Sequence, residues 1–461
     1  MEIYPRHVEA LRAICGSDHV YTREEISSDY SHDELAYTEY YPDLLVEPGS
    51  TEEVARVLEY AYAHDLPVVP RGNGTGLCGG AVAIHGGIIL STARLNQILE
   101  IDEDNLMAVV QPGVILLDLQ KTVEAKGLFY PPDPGEKSGT LGGNVATNAG
   151  GMRAVAYGVT RDYVLGLEVV LPDGRIIEVG GKVVKNSSGY SLLHLFVGSE
   201  GTLGVITKII LRLIPKPARQ VSLLVPFPDL ERAIEAVPKI LREKVVPASM
   251  EFMQQEVIQA AAQYLGKPFP DSSAPAYLLL TFYGNTRAEM EEVYHRAAQV
   301  CLDVGAYDVL IADILERQAG IWETRGTFLE AIKALGEMDE VDVVLPPHSI
   351  AAFIKYSEEI GRSHGVRILS FGHAGDGNLH VYLFRGERSQ KEWEAVHAQV
   401  MELLYDEAKR LGGQVSGEHG IGYAKKPYLA SSLGPTQMDL LRSIKRVFDP
   451  KGLLNPGKII D

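Results

Sequence analysis

A chain of 461 residues is longer than one hydrophobic core ordinarily serves, so two or three domains are expected. Apolar residues make up 46% and charged residues 23%, an ordinary globular balance, and a net charge of −18 argues against nucleic acid and anionic membranes as partners. No run approaches the roughly 18 apolar residues of a membrane span, and Cys15, Cys78 and Cys301 are too few for a disulfide framework or a chain-borne iron–sulfur cluster.

The opening Met1-Glu-Ile-Tyr-Pro-Arg-His-Val-Glu lacks the basic start and apolar core of a secretory signal, so a reducing, cytoplasmic location is the expectation. Residues 1–40 are predicted as amphipathic helices, with Thr22-Arg-Glu-Glu as a capping-box start. A clearer helix opens at Thr51, predicted as its cap, with acids in the first turn. Strands follow at Leu66–Pro70 and Gly87–Ser91, then a turn-rich region with strands at Met107–Val110, Leu165–Leu171, Ile176–Val179 and Gly204–Ile214. After Pro215-Lys-Pro217 the pattern changes to longer helices, such as 229–243 and 287–304, between strands such as Tyr277–Tyr283. That is the signature of an α+β domain. The expected division is 1–217, 218–412 and a tail, 413–461.

Three glycine-rich loops stand out in the first half. Pro70-Arg-Gly-Asn-Gly-Thr-Gly-Leu-Cys-Gly-Gly80 follows a strand, and its backbone N–H groups can converge on an anion without Cβ interference. It matches neither the dinucleotide fingerprint of a Rossmann unit nor a P-loop. Ser138–Gly151 and Gly198–Ile206 add small residues, hydroxyls and further backbone donors. Together they suit a large ligand bearing phosphates, although turns in a sheet would read similarly.

In the second half, Asp376-Gly377 lies between two apolar runs and predicts a two-residue hairpin turn. That turn sets His373 directly opposite His380, on one face, with Cβ atoms about 5 Å apart. Glu418, in Gly417-Glu-His-Gly420, could supply a third cation ligand and His419 a free base. The same residues also suit two polar positions on a hairpin beside a glycine-rich loop. Adjacent Glu418 and His419 would diverge on a regular strand, so an irregular loop is expected between the two glycines.

Arg71-Gly-Asn-Gly-Thr-Gly, Gly142-Gly-Asn-Val-Ala-Thr-Asn-Ala-Gly-Gly, Gly198-Ser-Glu-Gly-Thr-Leu-Gly and Asn455-Pro resemble the FAD-binding fold of the vanillyl-alcohol oxidase type. With the two histidine motifs the chain resembles the D-lactate, glycolate and D-2-hydroxyglutarate dehydrogenase branch. The resemblance implies an α+β protein: a two-part FAD-binding domain of the vanillyl-alcohol oxidase/PCMH type, and an α+β cap domain with an antiparallel sheet. By the same resemblance Arg71, Gly72, Asn73, Gly74, Thr75, Gly76 and Leu77 hold the FAD pyrophosphate. Pro134, Ser138, Thr140, Gly143, Asn144 and Thr147 would line the next stretch, followed by Gly150, Gly151 and Gly158. Glu200, Gly204 and Ile206 would complete the cradle, with Asn455 near the flavin ring. Thr75 stands where covalent members carry a flavin-linking histidine, so non-covalent FAD is expected.

The resemblance further implies that His373, His380 and Glu418 bind a divalent metal and that His419 is the general base. Oxidising a 2-hydroxy acid removes the hydroxyl proton while a hydride leaves C2. An imidazole of pKa about 6.5 falls short of an alcohol by about nine units, roughly 12 kcal/mol, unless a cation acidifies the oxygen. Both Zn²⁺ and Fe²⁺ suit two imidazoles and a carboxylate.

Trp322-Glu-Thr-Arg-Gly-Thr-Phe resembles the segment whose arginine binds a substrate carboxylate, making Arg325 the candidate. Where D-2-hydroxyglutarate enzymes carry a threonine and a lysine, this chain has Leu329 and Glu340. A second carboxylate about 4 Å from Glu340 would be repelled by about 4 kcal/mol at an effective dielectric of 20. D-Lactate is therefore the first expected substrate and glycolate the second, with D-2-hydroxyglutarate the alternative. Without a nicotinamide fingerprint or cluster cysteines, the electrons would pass to a separate protein, such as an electron-transfer flavoprotein or an iron–sulfur subunit, or to a quinone. Two rival readings are a non-redox flavin transferase resembling alkylglycerone-phosphate synthase and a scaffolding subunit of an electron-transfer complex.

Overall fold

Two larger sheets, a two-stranded pair of Leu128–Phe129 with Ile214–Pro215, and their helices build the first of two units in the computed structural model of the chain, which describes residues 5–35 and 39–460. This unit gathers the described residues of Met1–Ala149, Val159–Lys216 and Glu418–Asp461. Leu44–Val46, Ile88–Ser91 and Val68–Arg71 lie parallel in a four-stranded sheet, with Val20–Thr22 antiparallel at one edge. Leu44–Val46 and Ile88–Ser91 are buried at every position, as parallel strands covered on both faces must be.

The cap of the helix Thr51–Ala63 lies one residue earlier than the sequence suggests. Ser50, extended at φ −147° and ψ 164°, accepts from Glu53 N at 3.2 Å and is the cap. Thr51 is the first helical residue, and its hydroxyl instead donates to Glu168 Oε1. The capping box at Thr22 and Glu25 also forms, but on a single 3₁₀ turn, because Ile26 returns to extended backbone. Beyond that turn, the helices expected over 1–40 reduce to Pro5–Cys15 and two other 3₁₀ turns; residues 1–4 and 36–38 lie outside the described residues.

A five-stranded antiparallel sheet completes this unit in the order Ile98–Asp102, Met107–Val110, Val205–Arg212, Val164–Val170, Ile176–Gly180. Its Val170 and Val205 pack in one cluster with Leu44, Val46, Val54 and Ile88, so the two sheets share a core. The C-terminal segment returns to the first sheet, where Asn455 N donates to Val68 O at 2.7 Å.

The second unit gathers Gly150–Gly158 and Pro217–Gly417. Its sheet has seven strands, antiparallel at every pairing: Leu310–Ala312, Arg219–Phe227, Ala276–Gly284, Ser249–Gln254, Arg367–His373, Asn378–Phe384, Met338–Val344. Helices Leu230–Arg242 and Arg287–Val304 lie within a residue of their predicted limits. Val257, Ile258 and Ala261, with Phe328, Ala331 and Ile332, pack on the sheet residues Met253, Phe371 and Tyr382. That packing sets Arg325, at the end of helix Leu315–Gly326, beside the same sheet face. A two-part unit of mixed sheets and a second unit built on an antiparallel sheet constitute the expected α+β architecture.

Candidate active site

The hairpin carrying the two histidines closes through four residues, Ala374–Gly377, rather than through Asp376-Gly377 alone. Gly377 N donates back to His373 O at 3.0 Å, and Gly377 O accepts from Leu345 N at 2.9 Å. This wider loop pairs His373 with Asn378 and His380 with Phe371, so the predicted direct opposition of the histidines does not occur. The slip is by two positions, and a slip of two preserves the face where a slip of one would reverse it. The imidazoles are therefore diagonal neighbours, with ring centroids 5.4 Å apart at 89°.

Each ring is held by an acid on an adjoining strand. His373 Nδ1 lies 2.9 Å from both carboxylate oxygens of Glu251, its register partner across the sheet. His380 Nδ1 lies 2.9 Å from Glu340 Oε1, which also accepts from Tyr382 Oη at 3.2 Å. A carboxylate at Nδ1 keeps a proton on that nitrogen, so in the neutral ring the lone pair lies on Nε2, the atom a cation takes as ligand. Both rings are buried, and Phe371 packs beside His380 and stacks on Tyr382.

Glu251 is fully buried and serves a second partner, which is cationic. Arg325 donates to Glu251 Oε2 from Nε at 3.0 Å and from Nη2 at 2.5 Å. The guanidinium is also held over the Phe371 and Phe328 rings, 4.7 and 5.3 Å from their centroids. Burial alone would raise the Glu251 carboxyl, but His373 and Arg325 outweigh it and hold it below the usual range. One edge of Arg325, Nε with Nη2, is thus committed to Glu251.

The segment leading to Glu418 is pinned by another buried acid. Asp342 Oδ2 accepts from Ser416 Oγ at 2.8 Å and from Gly417 N at 3.1 Å, while its Oδ1 accepts from Asn378 Nδ2 at 2.6 Å. A Cβ on Gly417 would lie 2.1 Å from Asn378 Nδ2, so any larger residue there would force Asn378 or the backbone to shift. After His419, the buried Glu200 accepts from Ile421 N and Gly422 N, both at 2.7 Å, and burial keeps its carboxyl above the usual range despite those bonds. Gly420 and Gly422 have φ of +83° and +52°. The Glu418-His419 pair therefore sits in an irregular loop fixed before and after by carboxylates, with Glu418 Oε1 3.6 Å from His419 Nε2.

In the first unit the glycine-rich loops converge. Asn73 Nδ2 donates to Ser138 O at 2.7 Å, and a Cβ on Gly72 would meet Thr140 Oγ1 at 2.2 Å. Thr75 Oγ1 lies 3.5 Å from the corresponding position on Gly139, and Gly74 has φ +72°. Thr140 caps helix Leu141–Thr147 through Gly143 N, Thr147 Oγ1 donates to Gly143 O, and Asn144 is buried within that helix. Glu200 N donates to Ala146 O, which ties in the third loop. Leu77 and Pro134 belong to the flanks of these loops, and Lys137 Nζ donates to Pro134 O. Arg71 is buried and donates to Asp29 O and Ala81 O, so its guanidinium braces the first loop. Gly204 and Ile206 open the strand Val205–Arg212, where Ile206 pairs with Val169. Gly150, Gly151 and Gly158 belong to the second unit, where Val155 of the same segment lies against Gly375 of the hairpin loop.

Asn455 tests whether these residues fit a flavin. It is 1% exposed, and its Nδ2 donates to Gly80 O and Glu200 O. Its Oδ1 has no hydrogen-bond partner among the described residues, a buried acceptor of the kind a flavin or ribityl donor would satisfy. Close-packed glycines, hydroxyls and this orphaned acceptor fit FAD.

The family model described as FAD linked oxidases, C-terminal domain, matches residues 216–459, and that of an FAD binding domain matches residues 42–180. The chain belongs to the FAD-linked oxidases. A D-lactate dehydrogenase of Anaerostipes hadrus is 46% identical over 99% of this chain and 98% of its own length. The glycolate oxidase subunit GlcD of Bacillus subtilis is 42% identical over 93% of this chain and 91% of its own length. Among solved structures, p-cresol methylhydroxylase superposes with a TM-score of 0.80 at 19% identity, covering 99% of this chain and 96% of that one. At that identity the likeness shows the PCMH-type fold of this FAD-linked oxidase and nothing finer.

Sequence reasoning about this oxidase overlooked Glu251 and Asp342, and it cast Glu340 as a charge facing substrate rather than as the partner of His380. A signal was present: Glu340 and Asp342 alternate with Val341 and Val343, and Glu251 stands between Met250 and Phe252. Acids on the inward face of an apolar strand require buried partners. Leu329, where a substrate-binding threonine was considered, packs against the apolar cluster under the sheet.

Proposed function

We propose that this FAD-linked oxidase converts a small D-2-hydroxy acid, D-lactate first and glycolate next, to the 2-oxo acid and passes the electrons to a separate acceptor protein. The observation that carries the reading is the hairpin pair. Two buried imidazoles on one sheet face each turn Nδ1 toward a carboxylate and so leave Nε2 as the nitrogen available to a ligand, and Arg325 shares the acid that orients one of them. The names of the two relatives above agree with this substrate class.

In this reading Arg325 holds the substrate carboxylate through Nη1, since Glu251 occupies its other edge. His419 takes the hydroxyl proton on a ring nitrogen. Bound FAD supplies at N5 the acceptor for the C2 hydride, so the C2–H bond breaks as the C–O bond becomes a carbonyl. His373, His380 and Glu418 would hold a divalent cation, Zn²⁺ or Fe²⁺, that supplies Lewis acidity toward the hydroxyl. Glu340, engaged with His380 Nδ1 and Tyr382 Oη, stands where the D-2-hydroxyglutarate enzymes carry a lysine and offers no donor to a second substrate carboxylate, which disfavours a dicarboxylate.

The test is anaerobic mixing of the FAD-loaded chain with D-lactate, following the flavin's visible absorbance, with L-lactate, glycolate and D-2-hydroxyglutarate alongside. Fast, D-selective, chelator-sensitive bleaching is expected. D-2-Hydroxyglutarate turning over as fast as D-lactate would overturn the substrate assignment, and bleaching indifferent to chelation would overturn the metal's role.

A further inference from the structure

The Glu251 carboxylate links the two binding functions of this site. It is fully buried, on a central strand, and its oxygens meet His373 Nδ1 on one side and the Nε/Nη2 edge of Arg325 on the other. We propose that Glu251 is a positioning residue that couples cation binding at His373 to carboxylate binding at Arg325, so that each ligand tightens the other. The inference rests on the metal and substrate roles assigned under Proposed function.

The direction of the coupling follows from the geometry. A cation held by His373 would pin the ring and make its Nδ1–H a stronger donor. A stronger bond from His373 draws charge from Glu251 and leaves the Arg325 guanidinium less neutralised toward an incoming anion. The same bond fixes the Glu251 oxygens, and with them the plane in which Nη1 is presented. Less neutralisation and a fixed plane both favour the anion, because a group held in its bound orientation loses less freedom on binding. The Phe371 ring beneath the guanidinium restricts the remaining motion. By thermodynamic reciprocity, a carboxylate on Arg325 must raise cation affinity by the same factor.

A merely structural role for Glu251 predicts something else: its loss would weaken both ligands while leaving their mutual influence unchanged. The readout is therefore the coupling, measured on the FAD-loaded chain with Zn²⁺ and with propionate, which has a carboxylate and no hydroxyl to oxidise. Removing Zn²⁺ is expected to raise the propionate Kd about five-fold or more, and saturating propionate should tighten Zn²⁺ by the same factor. In Glu251→Gln, both effects should fall below about two-fold even though each ligand still binds alone.

Coupling that survives in Glu251→Gln would overturn the inference, since the two ligands would then be communicating by another route. If that variant fails to retain FAD, Arg325→Lys decides. It alters no cation ligand, so a shift in Zn²⁺ affinity without propionate, in either direction, supports transmission through Glu251, and unchanged Zn²⁺ affinity overturns it. A native chain that binds no Zn²⁺ would bring down the metal reading and this inference together. A native chain that binds both ligands without coupling would bring down the inference alone.

Discussion

Glu340 Oε1 lies 2.9 Å from His380 Nδ1, in a sheet where Glu340 itself pairs not with His380 but with Tyr382. The acid reaches diagonally to the imidazole while accepting the Tyr382 hydroxyl from across the ladder. Two donors on one oxygen hold the carboxylate still, and the carboxylate holds the ring. Burial, followed by Glu340, raises the Tyr382 hydroxyl well above its ordinary value, so Tyr382 remains a donor throughout the working range.

Glu340→Gln should therefore act on metal before it acts on fold. The amide keeps the shape but can present its NH₂ to Nδ1, which favours the opposite tautomer and removes the lone pair from Nε2. Cation affinity should fall about 10- to 100-fold, as outer partners of metal-binding histidines typically contribute. Metal content after dialysis and a Zn²⁺ titration check this, and unchanged affinity with normal folding would remove Glu340 from the site.

His419→Asn should separate chemistry from binding. His419 lies outside the proposed ligand set, so FAD content and Zn²⁺ affinity should remain near native. Flavin reduction by D-lactate should slow by about 10²- to 10⁴-fold, the usual contribution of a general base. Single-turnover bleaching under nitrogen measures the step, and a native rate would assign the proton to another group.

Gly417→Ala probes the segment before the proposed base, His419. The new methyl would lie 2.1 Å from Asn378 Nδ2, which donates to both Asp342 Oδ1 and Val343 O. Either Asn378 moves and leaves buried acceptors unmet, at about 1–3 kcal/mol, or the 416–417 backbone leaves Asp342. A lower melting temperature with a slower flavin reduction is expected. Gly320→Ala, in the helix Leu315–Gly326 with nothing within 4 Å of the new Cβ, should be neutral or stabilising by up to about 1 kcal/mol. Equal losses in both variants would show that the close approach at Gly417 is not what matters.

Much of this site was legible because its signals are local. Glycines at 417 and 420 announced an irregular loop, and period-two alternation put His373 and His380 on one face. The face survived an incorrect register because the error was even. Pairings between distant strands were not legible. Nothing near Glu251 in the chain indicates His373, which is 122 residues away, or Arg325, 74 residues away. The cap of the helix Thr51–Ala63 failed for a smaller reason: Ser50 and Thr51 are both competent caps, and only the backbone angles of Ser50 choose between them.

Asp33 gives the pH dependence that geometry predicts for the first unit. It is 5% exposed, its Oδ1 accepts from Leu35 N, and its Oδ2 makes no hydrogen bond among the described residues. Burial pushes its carboxyl up to about 6, although Leu35 N–H, the nearby Arg71, the Gly79 amide and Lys458 favour the charged form. The folded value lies above the unfolded one of about 3.9, so the native state binds this proton more tightly. The stability it contributes is full below pH about 4 and is lost as pH rises through about 6. An uncharged amide in place of this carboxyl would mimic the protonated form at every pH. Asp33→Asn should therefore match the native chain most closely near pH 4 and gain on it up to about pH 7, by at most about 3 kcal/mol for a shift of about two units. Urea midpoints of the FAD-loaded proteins across that range measure the difference, and parallel curves would mean that Asp33 is ionised in the folded chain throughout.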